Sequence, residues 1–276
     1  MTSRDLHDRA IGTAKAELVQ ALPATGFAVL NADDPIVSAM ANQTRAHVIS
    51  VGESDLAAVR AVDVSLDPQG RASFSLVTDQ GSAPVALGLY GEHHVGNALA
   101  VAAVALVVGM TLQDVATALG EARPLSRWRM EVHERVDGVT IINDAYNANP
   151  DSMLAALRTL AIMGKGRRTW AVLGEMRELG SGSITEHEAL GRLAVRLDVS
   201  RVVAVGEGTQ PIDSSARHEG SGGEESIWVP DTDAAYELLR QQLAPGDVVL
   251  IKSSRDAGLR WLGERLVDDT GPEVSS

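Results

Sequence analysis

Between residues 139 and 160 of this 276-residue chain, polar groups crowd into a short stretch set between two apolar ones. Val139, Thr140, Ile141 and Ile142 form a β-branched run that suits a buried strand, and Met153, Leu154, Leu157 and Leu160 recur at helical spacing. The residues between them, Asn143-Asp144-Ala145-Tyr146-Asn147-Ala148-Asn149-Pro150-Asp151, must then be the strand-to-helix turn. Pro150 needs no donor in a first helical turn, and Asn149 stands before it as the cap. Such a turn lies at the carboxyl end of a strand in an α/β sheet, where ligands sit and free helix N–H groups face an anion. There Asp144 can accept from a ribose hydroxyl or meet a metal-bound phosphate. Asn, Asp and Pro also build turns that bind nothing. One Asp, one Tyr and two Asn within six residues exceed what a turn requires.

Other residues with chemical potential are scattered along the chain. Lys15 lies on a helix that ends near Pro23 and whose apolar face reads as Leu6, Ala10, Ile11, Ala14, Leu18, Val19 and Leu22; a lone helix lysine is ordinarily a solvated charge. Asn31-Ala32-Asp33-Asp34 follows a buried strand and reads mainly as a structural turn. His93 and His94 begin a helix. As adjacent residues they should point apart, and no third ligand is near, which argues against a metal. Arg127 and Arg129 are rival guanidiniums, suited either to clamping phosphate or to a surface salt bridge. His187 lies on a helix, where a single histidine is more often structural.

The elements that must place these groups are α/β in character. Segments 61–66 and 71–77 flank Asp67-Pro68-Gln69-Gly70, a hairpin signature, and strands at 26–31, 46–51 and 84–90 make the first half strand-rich. Thr111 can cap a helix reaching residue 122. Beyond residue 139, strands at 168–173, 201–205 and 247–251 alternate with helices at 184–197, 231–243 and 258–267, which predicts a mostly parallel, Rossmann-like sheet. Residues 206–225, rich in Gly, Ser and Glu, read as a mobile loop, and 268–276 as a frayed tail.

On these motifs the chain resembles the Mur ligases, from about residue 11 to about residue 266. The matching stretches are Asp144 to Met153, Gly174-Glu175-Met176-Arg177-Glu178-Leu179-Gly180, Lys252-Ser253-Ser254-Arg255, and the Asn97 and Arg129 neighbourhoods. The resemblance is nearest to the branch that joins D-alanyl-D-alanine to UDP-N-acetylmuramoyl-tripeptide through an acyl phosphate. It implies ATP and Mg²⁺ as cofactors, with Lys15 carbamylated and holding the Mg²⁺. It further implies ATP contacts from Asn97, Arg129, Asp144 and Tyr146, with Asp144 also catalytic. Substrate contacts would come from Asn147, Asn149, Lys252, Ser254 and Arg255, the Lys252 segment facing an acidic peptide. An amide at Asn97 both donates and accepts, which suits an adenine edge. His94 departs from the Asn usual in the family. By the same resemblance, residues 1–122 are the remainder of a P-loop-type central domain, 123–270 a Rossmann-like C-terminal domain with Pro124 to Glu131 at the hinge between them, and 271–276 a disordered tail.

Composition narrows the alternatives. A net charge of −13, from 24 basic and 37 acidic residues, disfavours nucleic acid as a partner, because counterion release needs a basic face. The absence of cysteine removes thiolate zinc sites and Cys nucleophiles. The longest apolar run, residues 98–108, is too short to insert in a membrane, so a cytoplasmic monomer is expected. Nowhere does the sequence contain G-x-x-x-x-G-K-[ST], the loop that cradles nucleotide phosphates. The expectation is therefore a chain inactive alone, with exposed Val and Leu in residues 1–121. The alternative is a noncatalytic nucleotide- or dipeptide-binding fragment needing a partner chain that carries the P-loop.

Overall fold

A computed structural model describes the backbone of residues 3–8 and all of residues 9–220 and 225–269. The chain divides into two compact units, Met1–Arg123 and Pro124–Ser276. Among the described residues no helix is long and apolar enough to cross a membrane.

The first unit runs α1 (Ser3–Gln20), β1 (Phe27–Asn31), α2 (Pro35–Ala39), β2 (His47–Gly52), β3 (Val59–Leu66), β4 (Arg71–Thr78), β5 (Gly81–Tyr90), α3 (His94–Val107) and α4 (Leu112–Glu121). Its sheet has the order β1-β2-β3-β4-β5, parallel from β1 to β3 and antiparallel from β3 to β5. Leu76 and Leu99 are fully buried between sheet and α3, with Phe74 and Val85 beside them. The Asp67 turn forms the expected hairpin. Its carboxylate accepts from the Gln69 and Arg71 amides at 3.0 and 2.9 Å and from Arg71 Nε at 2.8 Å, while Gly70 takes the left-handed φ of +77° that the turn demands.

Two sequence readings need correction here. The face that α1 buries is only partly the one its large side chains mark: Val19 and Leu22 pack against the core, but Ile11 and Leu18 are 46% and 69% exposed, whereas Gly12 and Ala16 are buried. The reason is close approach, since a Cβ on Gly12 would stand 2.4 Å from Cγ2 of Ile36. His93 and His94 do not point apart either; their rings face each other at 4.2 Å. The exposed Val and Leu expected in this unit are present, and Val101 and Val104 on α3, with Val108 just past its end, are among them.

The second unit runs β6 (Glu131–Glu134), β7 (Thr140–Asn143), α5 (Pro150–Met163), β8 (Thr169–Leu173), α6 (Ser183–Arg196), β9 (Arg201–Val205), α7 (Gln210–Glu219), β10 (Ser226–Val229), α8 (Thr232–Gln242), β11 (Val248–Lys252) and α9 (Leu259–Asp268). Its sheet order is β10-β9-β8-β11-β7-β6, parallel throughout except for β6. Strands β8 and β11 are buried along their whole length, as central parallel strands covered on both faces must be. Helices α5, α6 and α7 form one covering layer, α8 and α9 the other.

The expected loop at 206–225 is instead largely α7. Pro211 fits its first turn, Asp213 sits near its start and Arg217 near its end, and Ile212 and Ala216 supply a narrow buried stripe at i, i+4. Small and charged residues masked that stripe. Residues 221–224 and the tail from 270 onward lie outside the described residues.

Burial alone would raise the Asp67 carboxyl, but hydrogen bonds from the Arg71 amide and guanidinium outweigh it and hold the group below the usual carboxylate range. A depressed folded pKa means stabilisation that is complete above the unfolded value of about 3.9 and is lost as pH falls through the lower folded value. Asp67→Asn is expected to cost about 0.5–1 kcal/mol at pH 7, allowing for the water around this half-buried pair. Urea titrations at pH 7 and below pH 3 check this, since the gap between variant and parent should close in acid.

Candidate functional site

In the second unit β7 and β11 are neighbours, yet the helices that follow them pack on opposite faces, α5 in one layer and α9 in the other. Loops leaving such strands diverge and open a crevice at their carboxyl ends. The residues beyond β7, β11 and β8 meet there. The Asp144 amide donates to the Ile251 carbonyl at 2.8 Å and the Gly174 amide to Lys252 at 2.9 Å, so the three strand ends are held level. Asn143 locks the crevice floor to α9 by donating to the Arg260 carbonyl at 3.1 Å, and α9 lies so close that a Cβ on Gly263 would stand 2.2 Å from the Asn143 amide nitrogen.

Lys252 ends β11 and turns inward, 3% exposed at its side chain. Its ammonium donates to Asp144 Oδ2 at 2.6 Å, the Asn147 carbonyl at 3.0 Å and the Asp144 carbonyl at 3.5 Å, three acceptors for three N–H bonds. It therefore does not face outward as the sequence suggested. The other Asp144 oxygen, Oδ1, accepts from the Met130 amide at 3.0 Å. Both oxygens of the central carboxylate thus serve to join three segments of chain.

Above this pair sits Tyr146, whose amide donates to the Trp128 carbonyl at 3.0 Å. Its ring carries the Arg129 guanidinium at 4.2 Å and that of Arg255 at 5.8 Å, both on exposed residues. Two guanidiniums over one ring form a cationic rim suited to an anion. Arg127, the rival, is engaged elsewhere, paired with Glu264 and 5.0 Å from the Trp128 ring. Trp128 and Met130, on either side of Arg129, both take left-handed φ, 60° and 49°. For residues with a Cβ this costs about 1 kcal/mol or more each. The bend is held by carboxylates: Glu131 accepts the Trp128 amide at 2.8 Å, Asp144 accepts that of Met130, and Glu264 on α9 takes Trp128 Nε1 at 2.8 Å. Nothing local in the sequence marks Glu264, 136 residues from Trp128, as part of this arrangement.

The loop after β8 borders the same crevice. Ser254 is buried and its hydroxyl accepts from the Arg177 amide at 2.9 Å, while its own amide donates to the Glu175 carbonyl at 3.0 Å. His187 is fully buried. Its Nδ1 lies 2.7 Å from the Ser183 carbonyl, so it donates there, leaving Nε2 to accept from the Met176 amide at 2.9 Å. It anchors the loop and does not reach the crevice mouth. Asn149 caps α5, its Oδ1 accepting from the Ser152 amide at 2.8 Å in a capping box, as expected; Asn147 is exposed.

In the first unit Asn97 is exposed on the first turn of α3, and Lys15 is exposed on α1. Asn31 and Asp34 are turn formers: Asn31 accepts from the Asp33 amide, and Asp34 caps α2 through the Ile36 and Val37 amides. Among the described residues no three His, Cys, Asp or Glu side chains converge on a point fit for a metal ion.

Sequence comparison identifies the family. The Mur ligase middle domain matches residues 7–105, and the domain described as Mur ligase, glutamate ligase domain, matches 128–255. The chain belongs to the Mur ligase family. It is 50% identical over 94% of its length to the UDP-N-acetylmuramoyl-tripeptide–D-alanyl-D-alanine ligase of Mycobacterium tuberculosis (strain CDC 1551 / Oshkosh), covering 54% of that protein. To the ligase of the same name from Mycobacterium leprae (strain TN) it is 48% identical, over 94% of this chain and 55% of the relative. It thus spans about half the length of the curated relatives it matches. A crystal structure of MurF from Acinetobacter baumannii superposes with a TM-score of 0.81 at 28% identity, over 94% of this chain and 56% of that one. MurF from Thermotoga maritima, solved in complex with ADP, shares the fold at a TM-score of 0.77 and 22% identity, over 93% and 56% of the respective chains.

Replacing His187 by Ala strands the buried Met176 amide without its acceptor. The expected loss is about 1–3 kcal/mol of unfolding free energy, to be measured by urea titration. A variant as stable as the parent would show that water or another acceptor had taken the place of the imidazole.

Proposed function

We propose that this chain serves the ATP-dependent joining of D-alanyl-D-alanine to UDP-N-acetylmuramoyl-tripeptide, in the synthesis of peptidoglycan precursors in the cytoplasm. The observation that carries the reading is the 50% identity to a mycobacterial ligase over 94% of the chain. In this reading the tripeptide carboxylate takes the γ-phosphoryl group of ATP, releasing ADP, and the dipeptide amine then attacks the acyl phosphate, losing a proton and expelling inorganic phosphate as the amide bond forms. Arg129 and Arg255 offset the phosphate charge of the nucleotide, Tyr146 holds Arg129 in place, and Asn97 reads the adenine edge. Asn147 and the free amide nitrogen of Asn149 offer donors to the peptide. Arg255 joins them at the mouth, and Ser254 shapes the loop. Asp144 fixes the geometry on which these contacts rest. Lys15 as a carbamylated Mg²⁺ ligand is part of the same reading. Among the described residues no set of carboxylate or imidazole donors converges to complete such a Mg²⁺ site.

A second reading is favoured by one feature, the lack of any G-x-x-x-x-G-K-[ST] in the sequence. Here the chain binds nucleotide or dipeptide and needs a separate polypeptide to supply that loop. The two are separated by measuring ADP release that depends on both peptide substrates. This chain alone is expected to release none; release from it would overturn that expectation and support the first reading outright. Release only when a P-loop-bearing polypeptide is added supports the second, and none in either case removes both. Independently, Arg129→Lys is expected to weaken ADP binding about tenfold, since an ammonium loses the planar stacking on Tyr146 and the bidentate fit to phosphate. Isothermal titration with ADP measures the change.

A further inference from the structure

We propose that Lys252 is a positioning residue that aims the Arg129 guanidinium at a polyphosphate, acting through Asp144 without touching the ligand. The inference deepens the proposed function and rests on its reading of Arg129 and Tyr146 as nucleotide-facing.

All three N–H bonds of the Lys252 ammonium are taken by acceptors within the chain, and its side chain is 3% exposed, so no face remains for a ligand. What the ammonium does is hold Asp144. With Oδ2 fixed on Lys252 at 2.6 Å, Oδ1 is directed at the Met130 amide, 3.0 Å away. A carboxylate freed of that cation would turn toward water, because its own side chain is 14% exposed and an unpaired buried charge is costly. Met130 is one of two left-handed residues that bracket Arg129. Methionine has no preference for that conformation, which persists only where its surroundings impose it. The contacts thus run in one line, from Lys252 to Asp144, to the Met130 amide, to the bend that lays Arg129 on Tyr146 at 4.2 Å. An ion pair that merely stiffened β7 and β11 would not single out this bend.

The test uses the full chain and two readouts. Amide hydrogen exchange, read by NMR, compares Met130 with Leu250 inside β11 in the parent and in K252M. Protection of Met130 should fall at least about tenfold while Leu250 is unchanged. Unchanged protection at Met130, or equal loss at both amides, overturns the proposal. Should K252M fail to fold, K252M/D144N removes both charges together, and the same selective loss at Met130 is expected. The second readout is ADP affinity by isothermal titration in the parent, K252M, R129A and K252M/R129A. K252M should weaken ADP about fivefold or more, and by nothing further in the R129A background. Equal weakening in both backgrounds overturns the proposal, because Lys252 would then act on the ligand without Arg129. A parent chain that binds no ADP sinks the nucleotide reading alone, and the exchange result still decides whether Lys252 sets the bend.

Discussion

Taking an ammonium out of water costs several kcal/mol unless acceptors replace the hydration it loses. Lys252 meets that condition with one carboxylate and two carbonyls, all supplied by the turn after β7. Because the turn must deliver three acceptors to one point, residues 144–147 have little freedom, and Tyr146 and Asn147 project where they do as a result. The lysine in turn can reach that point only because β11 lies directly beside β7 in the sheet. Turn shape and the position of the cationic rim thus follow from a single electrostatic requirement, which the sheet order allows to be met. Asp247 meets a like requirement at the amino end of the same strand, taking Arg168 at 2.6 Å and Trp170 Nε1 at 3.0 Å. That arrangement lies at the opposite end of the strand from Lys252, so it closes the sheet there without shaping the turn after β7.

What could be read from the sequence was local. Strand, polar turn, Asn149 cap and Pro150 lie within a dozen residues, and near-neighbour physics alone places them. The hairpin at Asp67 and the Thr111 cap are legible for the same reason. Long-range contacts were not. Lys252 and Asp144 are 108 residues apart, and neither side chain announces its partner, so a lysine suited to an acidic peptide proved to be turned inward. The left-handed pair around Arg129 is equally invisible, because Trp and Met carry no turn signal. Composition misled at α7, where two apolar residues suffice to bury a short helix among glycines and acids. It misled again at α1, where Gly12 and Ala16 make the contact that Ile11 and Leu18 were expected to make.

Several residues that fit the family's motifs turn out to be busy with the backbone. Asn31, Asp34 and His187 each satisfy amides that would otherwise lack partners, and Asn149 does so with its oxygen. A motif therefore mixes groups that meet a ligand with groups that shape the loop presenting them. Geometry separates the two here: Arg129 and Arg255 present exposed guanidiniums above Tyr146, while Lys252, Ser254 and Asp144 spend their polar atoms within the chain.

Among the described residues β11 is the last strand in sequence, yet it is inserted between β7 and β8, which precede it by about 110 and about 80 residues. Until it arrives, those two strands have a vacant lane between them and cannot pair with each other in their final register. The step that fills the lane also delivers Lys252, and with it the carboxylate geometry and the cationic rim. In a nascent or partly folded chain, therefore, the two guanidiniums have no fixed platform, and the cationic rim exists only when the sheet is whole.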